Sequence, residues 1–467
     1  METCTRDKAC YPDVTMSDFS PFRDKMAAAG LGKAAIGAFE RGYTLLSSGE
    51  KGQISENSIT PSSDVPSYAN MASTPSEWSP ELLAKTVVLK LNGGLGTGMG
   101  LQKAKSLLEV KNGETFLDLI AEQIATLRAE TGAQVHFLLM NSFSTSEDTL
   151  AALQGGPLDG EKVEMLQNKV PKIDAATMAP VAWPDEPDHE WCPPGHGDLY
   201  PALIGSGWLD RLLADGIEYA FVSNSDNLGA TLDARLLNWF AASEAPFAME
   251  VTRRTEADKK GGHLAVRKSD QRLVLREVAQ CPDTDLASFQ DITRHQFFNT
   301  NNLWLNLPSL KAALDSANGV LPLPVIQNSK TVDPRDKAST PVWQLETAMG
   351  AAIECFDGAV AVEVPRSRFA PDKTTADLFA LRSDAYEKRP DGSVGLVPAR
   401  NGKPPVVKLS DEYKLVDSLA QLGSVPSLVA ADSLTIEGQV TFEPGVTVQG
   451  LAEFTNNGLV ATGTYGS

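Results

Sequence analysis

The chain has 467 residues, 42% of them apolar and 22% charged, with a formal net charge of −19. That composition is globular and the length suits two or three domains, while the acidity argues against nucleic acid or an anionic membrane surface as partner. Cys4, Cys10, Cys192, Cys281 and Cys355 are scattered with no C-x-x-C pair, the first residues lack a signal-peptide core, and no apolar run approaches ~18 residues, so a reducing, cytoplasmic setting without a membrane span is expected.

Residues 1–20 read as a flexible arm. From Phe22 to Leu46 the apolar residues fall at helical spacing (Met26, Leu31, Ala35, Ile36, Phe39, Tyr43, Leu46) and predict a small helical cap. Residues 48–78 are rich in Ser and Pro and predict a loop that wraps or links the next domain, with Trp78 as a packing anchor.

The stretch Thr86 to Ser106 organises the chain. An apolar run, Thr86 to Leu91, passes into Gly93, Gly94, Gly96, Gly98 and Gly100, and then Lys103 and Lys105. A strand ending in such a turn presents bare backbone N–H groups beside ammonium groups, which suits a phosphate. It is not a P-loop, because Ala104 precedes Lys105-Ser106 where glycine is needed. The dinucleotide fingerprint also fails, since Met99 or Leu101 falls at its third glycine.

Thr115 to Glu130 carries the stripe of an amphipathic helix, Gln134 to Met140 predicts a strand, and Ser146 is placed to cap a further helix. Strand, glycine turn, helix and strand make a βαβ unit of a parallel sheet. A third strand, Ile217 to Ser223, runs into Asn224-Ser225-Asp226-Asn227. Ligands of open α/β sheets lie beyond the carboxyl ends of the strands, so the glycine turn, Asn141 and Asp226 should border one crevice. Phe247 to Leu307 reads as mixed sheet, with Ala359 to Val364 as a further strand. From Leu434 the chain repeats every six residues (Leu434, Val440, Val446; Ile436, Phe442, Val448), the mark of a parallel β-helix whose open edge offers a surface for self-association.

Several residues could carry chemistry. Asp226 reads as a Mg²⁺ ligand or as a turn residue. Lys105 and Lys373 are phosphate clamps or solvated surface lysines. His196, between Gly195 and Gly197, marks a close backbone approach or an exposed turn. Arg366 and Arg368 fit phosphate binding or salt bridges to nearby carboxylates.

Ten blocks in one order make a more specific pattern: LNGGLGTGMG with KS, LLMNSF, QNKVPKI, PPGHGD, SNSDNLGAT, EVTRRTEADKKGGHL, REVAQCP, FFNTNNLW, QLETAMGAAI and VPRSRFAPDKTTADL. From Val87 onward the chain resembles the eukaryotic-type UTP–glucose-1-phosphate uridylyltransferases. The resemblance implies an α/β fold with a Rossmann-like mixed central sheet, a small helical N-terminal part and a C-terminal left-handed β-helix, here divided as residues 1–80, 81–385 and 386–467. It implies that UTP and glucose 1-phosphate give UDP-glucose and pyrophosphate. It also implies site residues: Gly93, Gly94, Gln167, Gly195 and His196, with Leu91, for uracil and ribose; Lys105 and Lys373 for the triphosphate; Asp226 for Mg²⁺, with Asn224 beside it; and Glu277, Asn299, Asn301 and Gly262 for the sugar. The chain departs from the family pattern at Asp372, where an apolar residue is usual and where a carboxylate would soften the clamp's potential, and at Leu101-Gln102-Lys103-Ala104. The sequence leaves open how strictly glucose is read against galactose or other sugars. The competing readings are a nicotinamide-dependent oxidoreductase and a silent sugar-nucleotide-binding protein.

Overall fold

The strand Thr86–Asn92 is buried along its whole length. In the computed structural model, which describes residues 18–467, it lies inside a ten-stranded mixed sheet. The expected N-terminal arm lies almost wholly outside the described residues. Parallel neighbours flank the strand on both sides, Tyr219–Asn224 on one and His136–Asn141 on the other. All three therefore end at the same rim. Along the strand Val87, Leu89 and Leu91 face one hydrophobic core and Val88 the other, the pattern of a sheet covered on both faces. Beyond Tyr219–Asn224 the sheet turns antiparallel through Phe297–Asn306, which also pairs with Phe247–Arg253.

Local chemistry sets the element ends. The helix Phe116–Thr131 starts at a capping box, in which Asp118 N–H donates to Thr115 Oγ1 and Thr115 N–H donates to Asp118 Oδ2, and it stops at Gly132 with φ +68°. Ser146 is not a cap: it is the first residue of the helix Ser146–Ala152, and its hydroxyl donates to Glu164 Oε1 at 2.6 Å. The N-terminal cap is two helices, Ser20–Ala28 and Lys33–Ser47, because Gly30 at φ +79° ends the first. Phe19, Phe22, Phe39 and Tyr43 cluster between them and pack on Val170, Ile173 and Leu345. The segment after them is more than a linker, since Ile59–Pro61 adds an antiparallel strand beside His263–Arg267 at the sheet edge.

The C-terminal strands Val406–Leu409, Ser427–Ile436, Val446–Phe454 and Gly463–Tyr465 pair in that order, all parallel. Leu434 lies beside Ala452 and Val440 beside Gly458, 18 positions on in each case. The hexads therefore do not stack on one another as three turns. Each supplies one face, and three faces close one coil. Leu434, Ile436, Val440, Phe442, Val446 and Val448 all point into its core. Among the described residues no helix is long and apolar enough to cross a membrane, and Cys192, Cys281 and Cys355 are free thiols.

Candidate active site

The three parallel strands open onto a cleft of about 300 Å³. Leu91, Gly93, Gly94, Lys105, Gln167, Gly195, His196, Asn224 and Asp226 all line it. Close backbone approach explains the glycines. A Cβ on Gly93 would lie 2.6 Å from Gln167 Oε1, and one on Gly195, which has φ +79°, would lie 2.5 Å from the Thr347 carbonyl. The Gln167 amide spans this end of the cleft, donating from Nε2 to the Gly195 carbonyl at 3.0 Å.

His196 has a defined protonation state. The Met349 N–H donates to its Nδ1 at 3.0 Å, and burial pulls its pKa down to about 4. The ring is neutral near pH 7 with its proton on Nε2, so it offers a donor rather than a charge. Asp198, in the same Pro-Gly-His-Gly-Asp turn, accepts from the Asn168 N–H at 2.7 Å and from its side-chain amide, and burial pushes its pKa up to about 7. It anchors the backbone next to Gln167. Sequence reasoning did not single it out.

At the other end of the cleft Lys105 Nζ sits 2.8 Å from Asp226 Oδ2 and also donates to the carbonyl of Asp372. The Asp372 N–H in turn donates to the Asp226 carbonyl at 3.2 Å. Pro371 bridges Asn227 as well, so the backbone just before Lys373 runs beside the loop of Asp226. The Lys373 side chain is exposed, its ammonium lies 5.7 Å from the Phe369 ring centroid, and its charge opposes the upward push of burial on the Glu277 carboxyl. Asp226 Oδ1 is buried with no hydrogen-bond partner among the described residues. A carboxylate oxygen left open beside a phosphate-sized cleft suits a hard divalent cation, which takes one or two carboxylates and completes its shell with phosphate oxygens and water.

Asp372 does not weaken this cationic end in the way its formal charge suggests. It is 2% exposed, neither carboxylate oxygen has a partner among the described residues, and burial pushes its pKa up to about 8 against the pull of Lys105. Near pH 7 it is mainly the neutral acid.

Gly262, Glu277, Asn299 and Asn301 lie outside the cleft in a second group. A Cβ on Gly262 would fall 2.5 Å from the Glu277 carboxyl carbon. Asn299 donates from Nδ2 to Asn301 Oδ1 at 2.9 Å, and the Asn301 N–H returns a bond to Asn299 Oδ1 at 2.9 Å. Asn301 holds φ +59°, a left-handed conformation that asparagine tolerates. Two links join the groups. Met349-Gly350 carries the N–H that holds His196 and packs against Asn299, where a Cβ on Gly350 would meet Nδ2 at 3.1 Å. The other is Lys373, whose charge acts on Glu277 and whose neighbour Asp372 bonds the Asp226 carbonyl.

The two arginines left open by the sequence are both in salt bridges. Arg366 forks onto Asp258 at 2.7 and 3.0 Å, and Arg368 onto the fully buried Glu250 at 2.8 Å through both nitrogens. Glu250 also accepts from Trp304 Nε1 and Asn302 Nδ2. Asn227 then donates to the Arg368 carbonyl and accepts from the Ala370 N–H. This network fastens the loop of Asp226 to the loop of Lys373 from below. Lys90 does similar work on the other side, donating to Ser223 Oγ at 2.8 Å and the Ala230 carbonyl at 2.7 Å, with burial pulling its pKa down to about 7. The one signal for it was a lysine inside an otherwise apolar strand.

A parallel-strand rim with a glycine turn, an anchored lysine–carboxylate pair and a neutral histidine donor is the equipment of an α/β enzyme that handles nucleotides. Residues 37–449 match the family described as UTP–glucose-1-phosphate uridylyltransferase. The chain belongs to that family. It is 44% identical over 386 residues to the UTP–glucose-1-phosphate uridylyltransferase of Solanum tuberosum, covering 82% of this chain and 79% of the relative. The Saccharomyces cerevisiae protein of the same description is 44% identical, over 79% of this chain and 73% of its own. Among solved structures, a mutant UDP-glucose pyrophosphorylase from Leishmania major aligns with TM-score 0.88 and 45% identity, over 96% of this chain and 97% of that one. A UDP-glucose phosphorylase from Trypanosoma brucei gives TM-score 0.87 and 48% identity, over 95% and 97%.

Proposed function

We propose that the chain is a nucleotidyltransferase that joins UTP and glucose 1-phosphate into UDP-glucose with release of pyrophosphate. The observation that carries this reading is the junction of Lys105, Asp226 and the Asp372 backbone at the rim of the parallel strands. A phosphate oxygen of glucose 1-phosphate attacks the α-phosphorus of UTP, the bond to the bridging oxygen breaks, and pyrophosphate leaves with the electron pair. The attacking group is already an anion near pH 7, so no protein nucleophile is needed. The work left to the protein is alignment and neutralisation of charge.

Each residue has a task in that scheme. Gly93 and Gly94 let the nucleoside approach the backbone, and Leu91 lines its seat. Gln167 and the Nε2–H of His196 supply neutral hydrogen bonds to uracil and ribose. Lys105 and Lys373 hold the phosphates. Gly262, Glu277, Asn299 and Asn301 face sugar hydroxyls, which need donors and acceptors rather than net charge. Asp226, with Asn224 beside it, would hold Mg²⁺, which when bound offsets phosphate charge. All the relatives named above are described for glucose 1-phosphate or UDP-glucose, and nothing favours galactose or a wider range.

The 18-residue coil supports reading the C-terminal part as the left-handed β-helix of the resemblance, with units at 1–80, 81–385 and 386–467. Among the described residues its last strand, Gly463–Tyr465, pairs on one side only, which supports self-association through that edge. Free thiols support a cytoplasmic setting. The test is pyrophosphate release from UTP plus glucose 1-phosphate, with and without Mg²⁺. Release that needs both substrates is expected. None in the presence of Mg²⁺ would overturn the reading.

A further inference from the structure

The turn Glu56–Ser58 leads into the edge strand Ile59–Pro61. The Glu56 side chain is 13% exposed, and its carboxylate meets three partners. Arg276 Nη1 donates to Oε2 at 2.7 Å, Arg294 Nε donates to Oε1 at 2.6 Å, and His295 Nε2 lies 3.0 and 3.2 Å from the two oxygens. Burial pushes the Glu56 pKa up, but the bonds from Arg294, His295 and Arg276 outweigh it and hold the carboxyl below its ordinary value. It is ionised near pH 7. The backbone is pinned as well, since the Glu56 N–H donates to Asp285 Oδ2 and the Ile54 N–H to the Gln280 carbonyl, each at 2.7 Å. None of these partners lines the cleft.

Two of the partners, Arg276 and His295, are fully buried, and each leads to the second group of site residues. Arg276 ends the strand Leu273–Arg276, and Glu277 follows it directly. The His295 ring stacks on His263 with centroids 3.8 Å apart, and His263 follows directly on Gly262. His263 and Arg276 are themselves opposite each other in the antiparallel pair. The Gly262 carbonyl then accepts the Asn299 N–H at 3.3 Å. One carboxylate, from a segment far away in the chain, thus fixes both strand ends that bring Gly262 and Glu277 together. Buried ion pairs are often no more stabilising than apolar packing of the same volume, so stability alone does not account for the network.

We infer that Glu56 is a positioning residue for the sugar substrate: through Arg276 and His295 it sets the place of Glu277 against Gly262, and with it the affinity for glucose 1-phosphate. The inference rests on the reading, given above, of Gly262, Glu277, Asn299 and Asn301 as the group that faces the sugar. A second path runs along the backbone. Ile54 holds the Gln280 carbonyl, and Gln280 Oε1 accepts the Glu277 N–H at 2.8 Å. The nucleoside end of the cleft has no such tie to Glu56, so the effect falls on one substrate only.

The test is the KM for each substrate in the pyrophosphate assay, for wild type, Glu56→Gln and Glu277→Gln. Glu277→Gln is the reference and should raise the KM for glucose 1-phosphate. Glu56→Gln keeps the shape of the side chain and removes its charge. It should raise the same KM about 10-fold, inside the roughly 10²-fold cost of a ~1 Å misplacement, and leave the KM for UTP within about 2-fold. A merely structural residue would lower the active fraction, and so kcat, with both KM values unchanged. If Glu56→Gln does not fold, Glu56→Asp, which keeps the charge and draws it back by one methylene, replaces it with the same expectation. Calorimetric titration of UDP-glucose and of UDP gives a readout that needs no turnover: the Glu56 variant should lose affinity for UDP-glucose and not for UDP. Both KM values unchanged, or both raised alike, overturns the inference while the reaction stands. A Glu277→Gln protein with an unchanged KM for glucose 1-phosphate counts against the sugar-facing group and takes the inference with it. Wild-type protein that releases no pyrophosphate counts against the reaction, and the two affinities then decide the inference by themselves.

Discussion

Asp372 offers the sharpest test of the electrostatics. In the unfolded chain its carboxyl titrates near 3.8, and in the folded protein near about 8, because burial penalises the charged form. The folded pKa is raised, so the sign is the reverse of the usual salt-bridged aspartate. Below the unfolded pKa both states carry the proton and the group costs nothing. As pH rises from there, only the unfolded state ionises, and stability falls by about 1.4 kcal/mol per pH unit until the folded pKa is passed. At pH 7 that cost is about 4 kcal/mol. Asp372→Asn keeps the shape and removes the titration, and Asp372→Val also removes the unpartnered polar atoms. In metal-free urea unfolding, wild type and Asp372→Asn should differ little at pH 4, while Asp372→Val, which sheds the unpartnered polar atoms, should already lead there by about 1–3 kcal/mol. Above that the variants should gain steadily through pH 7 and level off beyond pH 8. A difference that does not change with pH, or a wild type that is the more stable at pH 7, would refute the claim that this carboxyl is held neutral.

Lys105→Ala should lower kcat about 10²- to 10³-fold, as for loss of one preorganised electrostatic donor, in a steady-state pyrophosphate assay; near-normal turnover would remove Lys105 from the clamp. Gly93→Ala places a methyl 2.6 Å from Gln167 Oε1 and should cost the Gln167–Gly195 hydrogen bond, raising the KM for UTP about 2- to 10-fold with an unchanged thermal midpoint. Glu250→Gln strands the Arg368 guanidinium in the core and should destabilise by about 3–5 kcal/mol in urea unfolding, with turnover falling as the loops of Asp226 and Lys373 loosen.

Much of this site could be read from residue order because the rule that places it is local. A strand, its glycine turn and the residue just past a parallel neighbour meet at one rim whatever the rest of the chain does, and so Lys105 and Asp226 were legible. Lys373 was not legible on those grounds. It could be named as a candidate clamp, but its place could not be read, because its loop meets that of Asp226 through a contact between residues far apart in sequence. The same distance hid the partners of Arg366 and Arg368, since nothing near them in sequence names Asp258 or Glu250. Lys90 was hidden differently: a lysine is ordinarily exposed, and only the three-dimensional surroundings supply its two oxygen acceptors. The hexads named residues that do face inward, but a six-residue period defines a face and says nothing about how many faces close a coil. The break at Gly30 was masked by apolar spacing that continues across it.

The neutral state of Asp372 bears on how an acidic protein holds two phosphates. At physiological salt, charges beyond about 8 Å are largely screened, so the net charge of the chain matters less than the groups at the junction. Those groups are Lys105, Lys373, Asp226 and Asp372. With Asp372 ionised they sum to zero, and with it protonated they sum to plus one. Burial of one carboxyl thus has the same electrostatic result at the clamp as the apolar residue usual at that position, and it reaches that result at a cost in stability. A sequence comparison would score the aspartate as a charge reversal next to the clamp. Its burial makes it a destabilising residue whose effect on phosphate binding is small below pH 8 and grows above it, and a KM for UTP that rises between pH 7 and 9 in the wild type but not in Asp372→Val would separate the two accounts.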